Sequence, residues 1–290
     1  MPWISDDSLT TFQKFCVNVL KCGPIPKHIA IIMDGNRRYA RKKQMEKLEG
    51  HSRGFDKLSQ CLKWCLELDV KEVTVYAFSI ENFKRTKEEV DHLLQLAREK
   101  FTKLFQEQDK LMEYGVCIRV IGNLTLLPED LRQLMAKAML ITKDNNKAIL
   151  NVAFPYTSRD EITNSIQTII EAVREDKISP DDVTEDLISH CLYTNLSPNP
   201  DLLIRTSGEV RLSDFLLWQT SRSQIQFAEV LWPEFGIWHL LGCIFKYQRG
   251  CMELIIEEEE SEDAMSERVK EFLDELSVKR WRQLEIYATA

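Results

Sequence analysis

Short runs of apolar residues alternate along the chain with longer segments whose apolar residues recur every three or four positions. The runs are typical of buried parallel strands and lie at residues 28–33, 73–78, 116–121, 149–154, 202–205 and 226–230. The longer segments predict amphipathic helices, including one over residues 36–68 and one that starts after Pro128. Strands that alternate with helices favour an α/β fold, with helices covering a central, mostly parallel sheet of about six strands.

A further helix is predicted to open at Thr86, because Glu89 stands three residues later, which is the spacing of a capping box. The predicted inner face of this helix carries Val90, Leu93, Leu94, Ala97, Phe101, Leu104 and Phe105.

Both ends of the chain carry helical patterns outside this alternation. Residues 1–23 are predicted as an N-terminal amphipathic helix, which Gly23 and Pro24 end. Its apolar face either packs on the protein or contacts a membrane surface, and packing is the favoured interpretation. Residues 24–250, which contain the alternating strands and helices, are predicted as one domain, and residues 251–290 as a C-terminal helical extension folded as a hairpin and packed on a neighbour.

Composition narrows the range of functions. The formal net charge of −8 argues against a general nucleic-acid binder, which would show a basic excess. The longest apolar stretch, residues 235–245, is shorter than the roughly 20 residues of a membrane span. Asp6 and Asp7 stand where a secretory signal would be basic, so no signal is expected. Cys61 and Cys65 share a helical face, and buried thiols are favoured over a zinc site there.

The first candidate site follows the first strand, where residues 34–38 read DGNRR and open a helix. Ligands of open parallel sheets bind at the carboxyl ends of the strands, and a helix N-terminus there suits phosphate. Gly35 permits a tight turn, and Arg37 and Arg38 add charge-assisted hydrogen bonds. Asp34 either holds Mg²⁺ against a phosphate or caps the helix, and these alternatives are evenly matched on the pentapeptide alone.

The second candidate site follows another strand. Arg205 and Arg211 enclose small residues in a loop able to wrap a diphosphate, and forked guanidinium groups match phosphate oxygens. Ser213 is expected to donate a hydrogen bond, to cap a helix at residues 214–219, or both. Glu209 is expected to orient an arginine, and Arg85 lies at a third strand exit. Three arginine clusters at three strand ends predict one anion-binding mouth.

An acidic run at Asp181, Asp182 and Glu185 resembles the metal-binding box of trans-type prenyl synthases. Because Ser179 and Pro180 precede it, a helix start is the favoured interpretation.

Five sequence blocks together carry a family resemblance. The blocks are residues 28–40 (HIAIIMDGNRRYA), 50–51 (GH), 76–83 (YAFSIENF), 205–219 (RTSGEVRLSDFLLWQ) and 231–235 (LWPEF). Their order over residues 24 to about 250 resembles that of the cis-prenyltransferases, the undecaprenyl diphosphate synthase family, and most of all its eukaryotic dehydrodolichyl diphosphate synthase branch.

The resemblance implies an enzyme that condenses isopentenyl diphosphate repeatedly onto farnesyl diphosphate with Z geometry, for dolichol synthesis and protein glycosylation. It implies that Asp34 holds Mg²⁺ on the allylic diphosphate, which Gly35, Arg37 and Arg38 grip. The isopentenyl diphosphate would be held by Arg205, Arg211, Ser213 and Arg85, with Asn36 and His51 nearby. The implied catalytic residues are Asp34, Asn36 and Arg38. An apolar tunnel is implied for the product, and Phe55, Leu93 and Phe101 either line it or belong to the core.

Departures from the family pattern imply a partner. Family homodimers read GNGRW where residues 35–39 read GNRRY, and they carry a metal-coordinating acid at Gln224. They also end in an Arg-x-Gly motif that completes the partner's site, which residues 246–251 (KYQRGC) do not match. A membrane-anchored, homologous subunit of the Nogo-B receptor type is therefore expected. It would place the chain peripherally on the cytosolic face of the endoplasmic reticulum.

Two other functions compete with this reading. A catalytically silent scaffold subunit would lose Asp34 and the arginines, which are intact here. A nucleotide- or phosphosugar-binding enzyme would be expected to carry a GxGxxG or P-loop pattern, and the sequence has neither.

Overall fold

The computed structural model describes residue 3, residues 8–254 and residues 265–289. Within them one six-stranded sheet, parallel throughout, runs in the order β3-β4-β2-β1-β5-β6. The strands are β1 (His28–Ile32), β2 (Glu72–Tyr76), β3 (Val116–Ile121), β4 (Ala148–Ala153), β5 (Leu202–Arg205) and β6 (Gln224–Phe227). The mostly parallel sheet predicted from the apolar runs is confirmed.

Helices connect and cover the strands. They are α1 (Thr11–Leu20), α2 (Asn36–Lys42), α3 (Lys47–Glu67), α4 (Lys87–Gln106), α5 (Gln108–Tyr114), α6 (Glu129–Thr142), α7 (Ser158–Arg174), α8 (Glu185–Cys191), α9 (Ile237–Leu254) and α10 (Glu267–Thr289).

Strand β1 lies at the centre of the sheet, and all five of its residues are buried. The chain leaves β1 toward β2 on one side, and β5 returns on the other side, so the strand order switches direction here. Ile32 pairs with Tyr76 of β2 and with Arg205 of β5. The segments that follow these three strands therefore meet at one edge, where ligands of such sheets bind.

The single helix predicted over residues 36–68 is wrong, because a turn separates α2 from α3. Gln44 in this turn has a φ of 54°, which ends the helical path. The break folds α3 back onto the start of α2. A Cβ on Gly50 would lie 2.6 Å from the backbone oxygen of Asn36, and one on Gly54 would lie 2.4 Å from its Oδ1. Two glycines in α3 thus permit the close approach.

In the predicted C-terminal extension, residues 267–289 form the continuous helix α10, while residues 255–264, where the turn of the predicted hairpin would fall, lie outside the described residues. No glycine or proline interrupts this segment. Helix α10 packs on α6 and α8, as expected for a helix packed on a neighbour. At the other end, α1 buries Val17 and packs on α9. Asp6 and Asp7 lie outside the described residues.

Candidate active site

A cleft of about 1160 Å³ opens at the carboxyl edge of β1, β2 and β5. It brings together every site residue predicted from the sequence, namely Asp34, Gly35, Asn36, Arg37, Arg38, His51, Arg85, Arg205, Arg211 and Ser213. Among the described residues that line the cleft, seven are arginines and four are carboxylates. A cleft with excess positive charge in a chain of net charge −8 suits a polyanionic ligand.

The cleft also contains residues that the sequence analysis did not select. Arg41 lies four positions after Arg37 on α2, so helical spacing indicated it. Tyr76, Ser79 and Asn82 come from the block at residues 76–83, which carried the resemblance without an assigned role. Arg159 lines the cleft from the start of α7, and no pattern in the sequence marked it.

The turn after β1 has a left-handed residue at its centre. Gly35 is the N-cap of α2 with a φ of 110°, and no side chain caps this helix. A Cβ at Gly35 would lie 3.2 Å from the backbone of Leu231, so glycine satisfies both the conformation and the space. The capping interpretation of Asp34 is therefore wrong, and its carboxylate is engaged elsewhere.

Asp34 accepts a hydrogen bond of 2.8 Å at Oδ2 from Nη2 of Arg205, and Nη2 of Arg38 lies 3.8 Å from the same oxygen. Burial alone would raise the pKa of Asp34. The hydrogen bond and charge of Arg205, then the backbone N–H of Gly35 and the charge of Arg38, more than offset this and hold that pKa below its usual value. The carboxylate is thus ionised at neutral pH and available to a cation.

The donors around Asp34 fit Mg²⁺ shared with a ligand. Mg²⁺ at phosphate sites is held by one or two carboxylates together with phosphate oxygens and water. Across residues 8–254 and 265–289, no group of three or more His, Cys, Asp or Glu side chains could hold a metal ion. Asp34 supplies a single carboxylate beside the arginines, which is the donor set expected when a diphosphate supplies the other oxygens.

Arg205 joins the two predicted clusters. It is 3 % exposed, and besides Asp34 it donates from Nη1 to Oγ of Ser213 at 2.7 Å and to the backbone oxygen of Arg211. Glu209 lies between two further arginines, with Oε1 at 3.3 Å from Nη2 of Arg38 and Oε2 bonded to Arg211. Glu209 therefore orients arginines from both clusters.

Ser213 does not cap a helix, because residues 214–219 form turns. Ser213, Asp214 and Leu216 have φ values of 52°, 61° and 48°, in the left-handed region where a helix cannot continue. The hydroxyl of Ser213 accepts the bond from Arg205, and its proton is available to a ligand.

The third cluster contains a shared carboxylate. Oε1 of Glu89 accepts a hydrogen bond of 2.7 Å from Nη1 of Arg85, and the same oxygen lies 3.6 Å from Nη1 of Arg37. The predicted capping box is therefore only half formed. Thr86 accepts from the backbone N–H of Glu89, but the side chain of Glu89 serves the two arginines. Burial, then the charge of Arg37, lowers the pKa of Arg85.

A mostly apolar channel of about 120 Å³ adjoins the cleft. Both cavities are lined by Met33, Asn36, His51, Ala77, Phe78 and Leu93. The predicted tunnel residues Phe55, Leu93 and Phe101 all line the channel, and Phe101 belongs to the buried core as well. Trp3 packs edge-on against Phe55 and Phe101, with ring centroids 5.1 Å and 5.5 Å away.

Two buried polar atoms at the junction of the cavities have no hydrogen-bond partner among the described residues, Oδ1 of Asn36 and Nε2 of His51. Burial, then the positive charge of Arg85, lowers the pKa of His51 to about 4. His51 is therefore neutral at physiological pH. Unsatisfied buried polar atoms call for an explanation, and a ligand that enters the junction would supply one.

Three other predicted features lie outside the cleft. Gln224 pairs with Leu202, three residues before Arg205, and donates to the backbone oxygen of Tyr247. Residues 246–251 lie within α9. Residues Pro180–Asp182 form a short 3-10 helix capped by Ser179, so the helix start predicted there is confirmed.

Comparisons with known proteins agree with this architecture. Residues 32–252 match the sequence model of a family described as putative undecaprenyl diphosphate synthase. A dehydrodolichyl diphosphate synthase complex subunit of Homo sapiens is 58% identical over 248 residues, which are 86% of this chain and 74% of that protein. A subunit of the same description from Schizosaccharomyces pombe is 46% identical over 83% of this chain and 92% of its own length.

A solved structure shares the fold. The crystal structure of lavandulyl diphosphate synthase from Lavandula x intermedia, in complex with dimethylallyl diphosphate, superposes with a TM-score of 0.74. It is 32% identical in sequence, over 77% of this chain and 95% of that one. The chain therefore belongs to the undecaprenyl diphosphate synthase family, the cis-prenyltransferases.

Proposed function

We propose that this chain condenses isopentenyl diphosphate repeatedly onto farnesyl diphosphate with Z geometry. The product would be a long-chain polyprenyl diphosphate, dehydrodolichyl diphosphate, for dolichol synthesis and protein glycosylation. The observation that carries the proposal is the arginine-rich cleft that opens directly into an apolar channel. Such a pair of cavities suits a ligand with a diphosphate head and a growing hydrocarbon tail. The similar proteins from Homo sapiens and Schizosaccharomyces pombe are named for dehydrodolichyl diphosphate synthesis.

The allylic diphosphate is assigned to the turn after β1. Gly35 lets the backbone approach the phosphates, and Arg37 and Arg38 donate to their oxygens. Asp34 would hold Mg²⁺ there, where the ion supplies charge neutralisation for the diphosphate leaving group. These groups are fixed before reaction, so they stabilise charge as it develops when the allylic C–O bond breaks.

Isopentenyl diphosphate is assigned to the loop after β5. Arg205, Arg211 and Ser213 would bind its diphosphate, with Arg85, which lines the same cleft after β2. Because its alkene is a neutral nucleophile, catalysis rests largely on positioning through the diphosphate. Asn36 and His51 line the junction of cleft and channel, where the new C–C bond would form. A proton is then lost from the former isopentenyl unit, which leaves the new double bond.

The silent-scaffold alternative is not favoured. A catalytically silent subunit would lack Asp34 or the arginines. In this chain these residues are present and joined by hydrogen bonds.

We further propose that a homologous subunit of the Nogo-B receptor type, carrying the Arg-x-Gly motif, docks along β6. This strand is at an edge of the sheet, and Ile225 and Phe227 are 39 % and 40 % exposed there. An edge strand with apolar side chains is a ready pairing surface. The Homo sapiens and Schizosaccharomyces pombe relatives are both named as subunits of a complex.

Incorporation of labelled isopentenyl diphosphate tests the function and the partner together. The chain co-purified with the proposed subunit is expected to incorporate label at least tenfold faster than the chain alone, because a missing arginine contact to phosphate typically lowers rates by about 10- to 100-fold. Equal rates would rule out the obligate partner, while no incorporation in either preparation would rule out the activity.

Peripheral membrane contact, on the cytosolic face of the endoplasmic reticulum, is assigned to α1. Phe12 and Phe15 are 65 % and 62 % exposed, and Phe12 contacts the exposed Trp238 of α9. In the described part of the chain, no helix has the length and hydrophobicity needed to span a membrane. Serine at Phe12 and Phe15 is expected to abolish sedimentation with anionic lipid vesicles. The membrane assignment fails if the double variant sediments like the parent.

A further inference from the structure

A second polar cluster lies next to the cleft and contains none of the residues assigned above. Its centre is Glu161 of α7, which has no exposed surface. The carboxylate accepts four hydrogen bonds. They come from the hydroxyl of Tyr156 at 2.5 Å, the backbone N–H and hydroxyl of Thr194 at 3.0 Å each, and Nε2 of Gln219 at 2.9 Å. A carboxylate this deeply buried is tolerated only with such compensation.

The cluster adjoins the segment that follows the second arginine cluster. Ser213, Asp214 and Leu216 all have positive φ values, although none is glycine. Such conformations cost free energy and persist only where surrounding contacts determine them. Since Ser213 itself lines the cleft, the contacts that hold this segment also set the position of a proposed ligand group.

Several hydrogen bonds tie the strained segment to the start of α7, including two from Arg159 to the carboxylate of Asp214, at 2.7 Å and 3.1 Å. The backbone N–H of Ser158 donates to the oxygen of Asp214 at 2.8 Å, and the N–H of Leu217 donates to Oγ of Ser158 at 2.8 Å. Oγ of Ser158 in turn lies 3.3 Å from the hydroxyl of Tyr156, one of the donors to Glu161. At the end of the segment, Nε2 of Gln219 donates a hydrogen bond to the carboxylate of Glu161.

Helix α10 packs on α8 and lies outside the family match, which ends at residue 252. Arg280 donates from Nη2 to the backbone oxygen of Cys191. Burial lowers the pKa of Arg280, and the charge of Glu161 is among the groups that act in the opposite direction.

We propose that Glu161 is a positioning residue for the isopentenyl diphosphate half of the site. It holds Tyr156 and Gln219, which contact the strained segment that carries Ser213. The inference rests on the proposed function. We expect the effect to fall mainly on one substrate, because among the described residues the donors to Glu161 are Tyr156, Thr194 and Gln219, and none belongs to the turn at Asp34.

Substitutions that keep side-chain size test this role in the complete complex. Glu161→Gln places an amide N–H₂ against donors, and Tyr156→Phe removes one hydroxyl from a site whose packing it preserves. We expect KM for isopentenyl diphosphate to rise about tenfold in Glu161→Gln and about threefold in Tyr156→Phe, with KM for farnesyl diphosphate changed less than twofold. The exposed Glu171→Gln on the same helix is the matched control and should leave both constants unchanged.

Calorimetric binding of isopentenyl diphosphate separates the possible failures. Wild-type complex that binds no isopentenyl diphosphate would overturn the proposed function itself. Wild-type binding with an equal dissociation constant in Glu161→Gln and Tyr156→Phe would overturn only the positioning role. A parallel rise in both KM values, together with a lower melting temperature, would also overturn it, because a purely structural residue affects both substrates alike.

Discussion

Replacing Asp34 with asparagine is expected to lower kcat about 10³-fold, which corresponds to about 4 kcal/mol of transition-state stabilisation. The substitution preserves the shape of the side chain but removes its charge. Asp34 is the carboxylate that the arginines of both clusters surround, with Arg205 at 2.8 Å and Arg38 at 3.8 Å. Without this charge, the cleft loses its proposed metal ligand, and Arg205 loses its carboxylate partner.

The control is Asp69→Asn. Asp69 is an exposed carboxylate that pairs with Lys21, and its φ of 60° is one that asparagine also tolerates. Steady-state incorporation of isopentenyl diphosphate should be unchanged in this variant. Activity of Asp34→Asn within tenfold of wild type would contradict the assignment of Asp34.

Replacing Arg205 with methionine is expected to lower kcat/KM for isopentenyl diphosphate by about 10³-fold. Arg205 is nearly inaccessible to solvent and donates to Asp34, Ser213 and the backbone of Arg211. Methionine fills similar space but provides no donors, so all three partners lose their common anchor. Arg205→Lys keeps the charge without the planar fork, and we expect it to recover only part of the loss.

The same variant should change the pH dependence of the reaction. Arg205 is the main group that lowers the pKa of Asp34, whereas burial raises it. In Arg205→Met the pKa of Asp34 therefore rises, and the carboxylate protonates at higher pH. The acid limb of the profile of kcat/KM against pH should move to higher pH than in wild type. An unmoved acid limb would show that the pair at 2.8 Å does not control Asp34.

The sheet was predictable from the sequence because parallel strands buried on both faces need unbroken apolar runs. The run at residues 28–33 contains β1, and residues 202–205 coincide with β5. The order of the strands within the sheet was not predicted from the sequence, because it depends on how the helices pack on the sheet. The clusters at Asp34 and Arg205 could nevertheless be brought together in advance, because the carboxyl ends of parallel strands share one edge.

The local errors have a common physical cause in tertiary contacts. Residues 214–219 have the composition of a helix, yet contacts with α7 hold them in turns with positive φ. The helical pattern over residues 36–68 continues through Gln44, where packing of α3 on α2 requires a turn. Glu89 has the spacing of a capping box, but two arginines compete for its carboxylate. Local sequence propensity carries no information about these tertiary contacts.

The cluster at Glu161 had no signal in the sequence. An acid in the first turn of a helix is ordinarily explained by the helix dipole. Its donors Tyr156, Thr194 and Gln219 come from three separate segments, so their meeting appears only in the folded chain.

The product of the reaction tests the central claim most directly. The purified complex is supplied with farnesyl diphosphate, labelled isopentenyl diphosphate and Mg²⁺, and the product's mass and double-bond geometry are determined by mass spectrometry and NMR. We predict a series of polyprenyl diphosphates that extend farnesyl diphosphate by successive five-carbon units, each new double bond in Z geometry. New double bonds in E geometry would contradict the account. So would farnesyl diphosphate that is recovered without extension after incubation with the wild-type complex.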